Sequence, residues 1–257
     1  MSKSLNIALL QTELFWEQPE KNRIHISNAI KELRPEVDLL LLPEMFTTGF
    51  TMSPENIDAI EGSRTLDWMR ELATAKQLAI SGSIVFKEKG KYYNRLFFVE
   101  PSKVSIYDKR HTFTLAGESD VYTAGKAKTI IDFKGFKICP LICYDLRFPV
   151  WSRNVEHYDL LIYVANWPKT RINAWDVLLK ARAIENMSYC IGVNRIGIDE
   201  IGHEYPGHSA VYDALGKEVL FSNKPEICYV TLDKEHIKTT RRKLKFLEDQ
   251  DKFNLEE

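Results

Sequence analysis

A chain of 257 residues, 44% hydrophobic and 28% charged, is long enough for one large α/β domain spanning 1–257 and short for two. A formal net charge of -1, with no basic stripe or lysine-rich arm, excludes an electrostatic footprint for nucleic acid or an anionic membrane. Small-molecule chemistry is the expectation that remains.

After Met1-Ser2-Lys3-Ser4, the run Leu5–Gln11 reads as a strand. It is too short and too soon polar for a signal peptide, and no later stretch approaches the roughly 20 apolar residues of a membrane span, so a cytoplasmic protein is expected. Pro19–Leu33 reads as an amphipathic helix and Val37–Leu42 as a buried strand of nearly continuous aliphatics. Ser63 is an N-cap type of residue for a helix running to Gln77, and Leu78–Phe86 is the next strand. Lys87-Glu88-Lys89-Gly90-Lys91 predicts a turn into Tyr92–Val99, a hairpin, with a further strand over Val104–Asp108. The stretch 112–127, punctuated by Gly117 and Gly125, predicts a surface loop, the kind of segment that carries function.

Beyond that loop, strands are expected at Lys128–Phe133, Phe136–Ile142, Leu160–Val164, Cys190–Asn194, Ala210–Asp213, Glu218–Ser222 and Ile227–Leu232, with a helix over Ala174–Asn186. Gly135 and Asp213-Ala214-Leu215-Gly216 mark hairpin turns. The tail 234–257 is charged, helical at first, and ends in acidic residues expected to fray. No internal repeat or low-complexity segment occurs. The strands outnumber what one open parallel sheet needs. Two mixed sheets face to face with helices outside, a four-layer α-β-β-α sandwich, would bury them best.

Three stretches carry residues suited to chemistry. Cys143 stands where the apolar run Phe136–Ile142 stops and the polar, helix-opening segment Tyr144-Asp145-Leu146-Arg147-Phe148-Pro149 begins. A thiol there has backbone N–H groups and the positive end of a helix nearby, which favours thiolate and any oxyanion formed beside it. A cysteine is more often a buried small hydrophobe, the reading given to Cys139, Cys190 and Cys228. Four thiols are too sparse for a disulfide framework and lack the spacing of a metal site. Cys139 and Cys143, four strand residues and roughly 13 Å apart, are too distant for a bridge.

Glu44 follows Leu39–Leu42 and Pro43 and precedes Met45-Phe46. The ordinary fate of such a glutamate is solvation at a strand end, but apolar company is also the setting of a useful base. Lys109 closes the strand 104–108; with Asp108, Arg110 and His111 it could form a solvated charge cluster, or it could stand beside the cysteine and donate to an oxyanion. His111, His203 and His208 leave a Cys–His pair open. Together Glu44, Lys109 and Cys143 suggest an enzyme that cleaves a carbon–nitrogen bond.

Leu40-Leu41-Leu42-Pro43-Glu44-Met45-Phe46, Tyr107-Asp108-Lys109-Arg110-His111 and Ile142-Cys143-Tyr144-Asp145-Leu146-Arg147-Phe148-Pro149 resemble, in that order, the three motif segments of the nitrilase, or carbon–nitrogen hydrolase, superfamily. The resemblance implies the sandwich fold, a homodimer formed across its helical face, a Glu44/Lys109/Cys143 triad, and a second glutamate in the loop after the lysine, matched here by Glu118. Read without the family, Glu118 is a solvated loop carboxylate. The implied route is a thioester on Cys143, with Glu44 moving protons, Lys109 and the backbone N–H of Tyr144 holding the oxyanion, and Glu118 orienting Lys109 or the substrate amide. No metal or organic cofactor is implied.

Asn166-Trp167-Pro168 and Ala181-Arg182-Ala183-Ile184-Glu185-Asn186 are similar to the omega-amidase branch, whose members deaminate omega-amides of short dicarboxylic acids, notably 2-oxoglutaramate to 2-oxoglutarate. The anionic end of such a substrate suits a guanidinium fork, for which Arg147 and Arg171 are candidates, with Phe113 and Trp167 as apolar walls. Either arginine could equally be a helix-surface charge or a salt bridge, and Arg182 is assigned to helix packing. A nitrilase, a carbamoylase or a broad aliphatic amidase would carry the same triad. Outside enzymes, the alternatives are a binding relative without catalysis and a thiol redox or metal protein.

Overall fold

The computed structural model describes residues 4–255; the acidic end, 256–257, whose fraying was expected, lies outside the described residues. The first half runs β1 (Ser4–Gln11), α1 (Pro19–Ala29), β2 (Leu39–Leu41), α2 (Glu61–Lys76), β3 (Ala79–Glu88), β4 (Lys91–Val99) and β5 (Val104–Asp108). Parallel pairing of β2 with both β1 and β3 makes it a central strand, which is why its three leucines are wholly buried on both faces. Alternation along this segment divides the core. Leu39 and Leu41 join a cluster between the two sheets, whereas Leu40 and Leu42 join Ile26, Ile30, Met69 and Ala73 beneath α1 and α2.

The second half runs α3 (Glu118–Val121), β6 (Ile131–Phe133), β7 (Phe136–Ile142), α4 (Pro149–Ser152), β8 (Leu160–Ala165), α5 (Ile172–Asn186), β9 (Tyr189–Asn194), β10 (Ile196–Ile198), β11 (Glu204–Pro206), β12 (Ser209–Tyr212), β13 (Glu218–Ser222), β14 (Glu226–Asp233) and α6 (Lys234–Leu244). Its sheet has the order β13-β12-β9-β8-β7-β6, and the first sheet has the order β14-β1-β2-β3-β4-β5. The expected α-β-β-α sandwich of two mixed sheets is the architecture found. α5 and α6 cover the second sheet through Trp175, Leu179, Ala183 and Ile237. Lys134 and Gly135, with φ of 46° and 81°, form the left-handed turn between β6 and β7.

Several boundaries differ from expectation. The helix expected from Ser63 begins at Glu61, because the Asp58 side chain accepts from Ile60 N at 3.2 Å and its carbonyl accepts from Glu61 N at 2.9 Å, starting the turn earlier. The helix expected to Leu33 stops at Ala29, and the strand expected from Lys128 pairs only over Ile131–Phe133. The 112–127 loop contains a 3-10 turn, Thr114–Ala116, and the short α3. β10 and β11 form a separate two-stranded ribbon that was not expected. α6 is anchored: the Asp233 side chain caps it by accepting from Glu235 N, and Ile237 and Thr240 are buried. Among the described residues, no helix is long and apolar enough to cross a membrane.

Close packing of α5 on β9 depends on Gly192, where an added Cβ would lie 2.4 Å from Leu179 Cδ1 and 2.5 Å from Trp175 Cζ2. Gly192→Ala is therefore expected to destabilise the protein by about 1–3 kcal/mol, as overpacked cores do, seen as a lower urea midpoint with an unchanged slope.

Candidate active site

Four strand ends converge. Glu44 follows β2 in a turn held to β3, with Met45 N donating to Ser83 Oγ at 2.9 Å and Phe46 N to Ser83 O at 3.1 Å. Lys109 directly follows β5, Cys143 follows β7 and opens a 3-10 helix over Cys143–Arg147, and Asn166 follows β8. Met45 and Cys143 both adopt left-handed backbone, with φ of 43° and 44°. Non-glycine residues held there carry local strain, a feature common at functional sites.

Lys109 Nζ lies 2.8 Å from Glu44 Oε1 and 3.0 and 2.9 Å from Glu118 Oε1 and Oε2. Both carboxylates are fully buried and the lysine is 1% exposed. Asn94 Nδ2 donates to Glu44 Oε1 at 2.8 Å and to Glu118 Oε1 at 3.1 Å, and Phe113 N donates to Glu118 Oε2 at 2.5 Å. From the second sheet, Asn166 N donates to Glu44 Oε2 at 2.8 Å and Asn166 Nδ2 to the Glu44 carbonyl at 2.5 Å. Glu118 is thus no solvated loop carboxylate. The turns at 114–121 fold it inward.

Electrostatics follow from this burial. Desolvation works against the Lys109 ammonium, but the charges of Glu118 and Glu44 outweigh it and hold its pKa above the usual lysine range. Burial raises the pKa of Glu118, and Lys109 opposes the rise. Burial likewise pushes the Cys143 thiol well above its ordinary range; the Glu44 carboxylate adds to this through its charge and a side-chain hydrogen bond, while Lys109 pulls the other way. Burial and the facing carboxylate therefore oppose the thiolate that the local sequence favours. The sulfur faces Glu44.

Cys143 and Lys109 line a cavity of about 300 Å³. Tyr144, Arg147, Phe113, Trp167 and Arg171 line the same cavity, joined by Phe50, Met52 and the β10–β11 ribbon, which contributes Asp199, Ile201, His203 and Tyr205. The Arg147 guanidinium sits 5.0 Å above the Trp167 ring and that of Arg171 5.1 Å above Phe113. Neither guanidinium has a hydrogen bond or ion pair among the described residues. Arg182 lies elsewhere, donating to the Leu146 carbonyl at 2.6 Å and pairing with Glu185, so it ties α5 to the turn after Cys143.

The three histidines each bond an aspartate rather than the thiol: His111 with Asp145, His203 with Asp199 and His208 with Asp176. Cys139 and Cys190 are fully buried thiols whose pKa burial raises. Among the described residues no group of three or more His, Cys, Asp or Glu side chains could hold a metal ion. Of the two amides bonded to this cluster, sequence reasoning singles out Asn166 only as part of the Asn166-Trp167-Pro168 motif and misses Asn94. For Asn94 a signal existed, an amide standing among the apolar and aromatic residues Leu96, Phe97 and Phe98 of one strand.

The Carbon-nitrogen hydrolase family profile matches residues 6–242. The omega-amidase YafV of Yersinia enterocolitica is 39% identical over 255 residues, 98% of this chain and 99% of that protein. The 2-oxoglutaramate amidase of Bacillus subtilis (strain 168) is 30% identical over 86% of this chain and 87% of its own length. The crystal structure of a CN-hydrolase superfamily protein from Xanthomonas campestris superposes with a TM-score of 0.95 at 36% identity, covering 98% of this chain and 99% of that one.

Alkylation of Cys143 by iodoacetamide reads the thiol directly. Its pH midpoint is expected above the usual thiol value of about 8.5. Glu44→Gln is expected to lower that midpoint, because removing the carboxylate charge leaves the effect of Lys109 less opposed. An unchanged or higher midpoint in the variant would contradict this electrostatic assignment.

Proposed function

This chain belongs to the carbon–nitrogen hydrolase family, and on that footing we propose an omega-amidase that hydrolyses the omega-amide of short dicarboxylic acids, 2-oxoglutaramate to 2-oxoglutarate and ammonia foremost. It is a hydrolase of carbon–nitrogen bonds in linear amides. The observation that carries the mechanism is the lone-pair account of Glu44. Its Oε1 accepts from Lys109 and Asn94, whereas Oε2 accepts one backbone hydrogen bond, from Asn166 N, among the described residues, so Oε2 retains capacity for the thiol proton.

In the proposed reaction, the Cys143 proton passes to Glu44 Oε2 as sulfur bonds the amide carbon. Lys109 directs one N–H at Glu44 and one at Glu118, which leaves a third for the oxyanion. The N–H of Tyr144, second residue of a 3-10 helix, has no acceptor within that helix and is the other donor. A donor of this kind contributes about 3 kcal/mol to the transition state. Glu44 then protonates the departing nitrogen, the carbon–nitrogen bond breaks, and ammonia leaves a thioester. Water attacks with its proton passing to Glu44, and collapse expels the sulfur, which regains that proton as the acid departs. The thioester route itself draws on no cofactor.

Glu118 accepts two hydrogen bonds on each oxygen, which fills a carboxylate's capacity, and this favours its role in holding Lys109 over contact with the amide. Arg147 and Arg171, unpaired and laid on aromatic walls, are assigned to the substrate's carboxylate. The cavity volume, at the low end for small-molecule sites, suits a short acid. We take the chain as one domain working in the cytoplasm and pairing as a homodimer across its outer helices, where Val177 and Ile184 leave α5 apolar towards solvent.

Ammonia release across omega-amides, nitriles and N-carbamoyl acids tests the reading. Strong turnover of 2-oxoglutaramate is expected; turnover of a nitrile or carbamoyl compound with none of 2-oxoglutaramate would overturn it. Cys143→Ala is expected to abolish ammonia release while far-UV circular dichroism is unchanged. The double variant Arg147→Gln, Arg171→Gln is expected to raise KM for 2-oxoglutaramate at least about tenfold, the effect of losing a charged hydrogen bond, while KM for a neutral aliphatic amide stays within about twofold.

A further inference from the structure

We propose that Asp145 is a positioning residue for this reaction, clamping the segment that carries Lys109 onto the turn that carries Cys143. The inference rests on the roles assigned above to those two residues. They come from different sheets: β5 is the edge strand of the first, and β7 lies in the second. Glu44 has its own tie across the gap, through Asn166. The Lys109 side chain bonds Glu44 and Glu118, neither of which belongs to the turn bearing the sulfur.

Asp145, two residues past the nucleophile and wholly buried, closes that gap. Its Oδ2 accepts from Ile142 N at 3.1 Å, immediately before Cys143, and from the Tyr107 hydroxyl at 2.7 Å. Its Oδ1 accepts from His111 N at 3.0 Å and from His111 Nδ1 at 2.8 Å. Tyr107 and His111 lie two residues to either side of Lys109, so one carboxylate grips the lysine segment at both flanks and the cysteine turn between them. Four donors on two oxygens fill its capacity, which is what lets a carboxylate stay buried.

The geometry also fixes its partners. A carboxylate oxygen only accepts, so the proton of His111 lies on Nδ1 and the ring is an orienting donor. That ring stacks on Phe148 at 3.7 Å and 3°, which sets its angle. The Tyr107 hydroxyl accepts from Trp151 Nε1 at 3.0 Å and Arg110 N at 3.3 Å, extending the clamp to α4. Burial, then the charge of Asp145, push that hydroxyl well above its ordinary pKa and keep it a donor. Misplacing a catalytic group by about 1 Å can cost on the order of a hundredfold in rate, so a loosened clamp acts on kcat.

Paired variants of His111 separate positioning from mere packing. His111→Leu keeps an apolar contact with Phe148 but loses the donor; His111→Asn loses the ring but places an amide N–H near the Nδ1 position. In folded variants judged by thermal melting, His111→Leu is expected to lower kcat at least about tenfold with KM within about twofold, and His111→Asn to recover to within about threefold of wild type. The iodoacetamide midpoint of Cys143, which Glu44, Lys109 and Glu118 face, is expected to rise in His111→Leu as Lys109 loses its grip on the thiol. Tyr107→Phe carries the same test should His111→Leu fail to fold. Unchanged kcat in the folded leucine variant, a loss expressed in KM, or an asparagine variant no better than leucine would overturn the proposal. Should wild type release no ammonia from any amide, the reading of function fails instead, and the alkylation midpoint alone decides the clamp.

Discussion

One buried ammonium held between two buried carboxylates governs this structure. Lys109, Glu44 and Glu118 are almost entirely removed from solvent, and moving any one of them alone into such surroundings would cost several kcal/mol. Their burial is sustained because each completes the others' hydrogen bonding, with Asn94 bridging the two acids. Removing one member strands the rest, so the cluster behaves as a unit. The cluster also acts next door: the Glu44 carboxylate adds to burial in pushing the Cys143 thiol pKa well above its ordinary range, against the pull of Lys109.

The sandwich brings these groups together from distant sequence. In the first sheet β2, and in the second the parallel pair β7 and β8, lead into the site, with Glu44, Cys143 and Asn166 standing just beyond them. The left-handed backbone at Met45 and Cys143 turns the chain sharply where the strands stop. Such conformations persist only when surrounding contacts determine them, and here Ser83, Asp145 and Arg182 supply those contacts from neighbouring elements.

Much of this could be read from sequence because apolar runs that stop at a polar residue mark strand ends, as before Glu44 and Cys143, and because Lys109 follows the short β-rich segment 104–108. Glu118 gave no local sign, since its burial arises from two short turns folding it onto Lys109, and only the family resemblance singled it out. The local setting of Cys143, which favours thiolate, was legible, whereas burial and the charge brought by Glu44 from another sheet, which oppose it, were not. The ribbon at the cavity mouth escaped notice because each strand is three residues long and contains glycine or proline. Ser63 misled because the Asp58 side chain begins the turn first.

The most direct test of the mechanism is to catch its covalent intermediate. Rapid acid quench of the protein with 2-oxoglutaramate, followed by intact-mass and peptide mass spectrometry, should reveal an acyl group on the peptide containing Cys143, discharged by hydroxylamine. Ammonia release with no such adduct, or with the acyl group on another residue, would contradict the account.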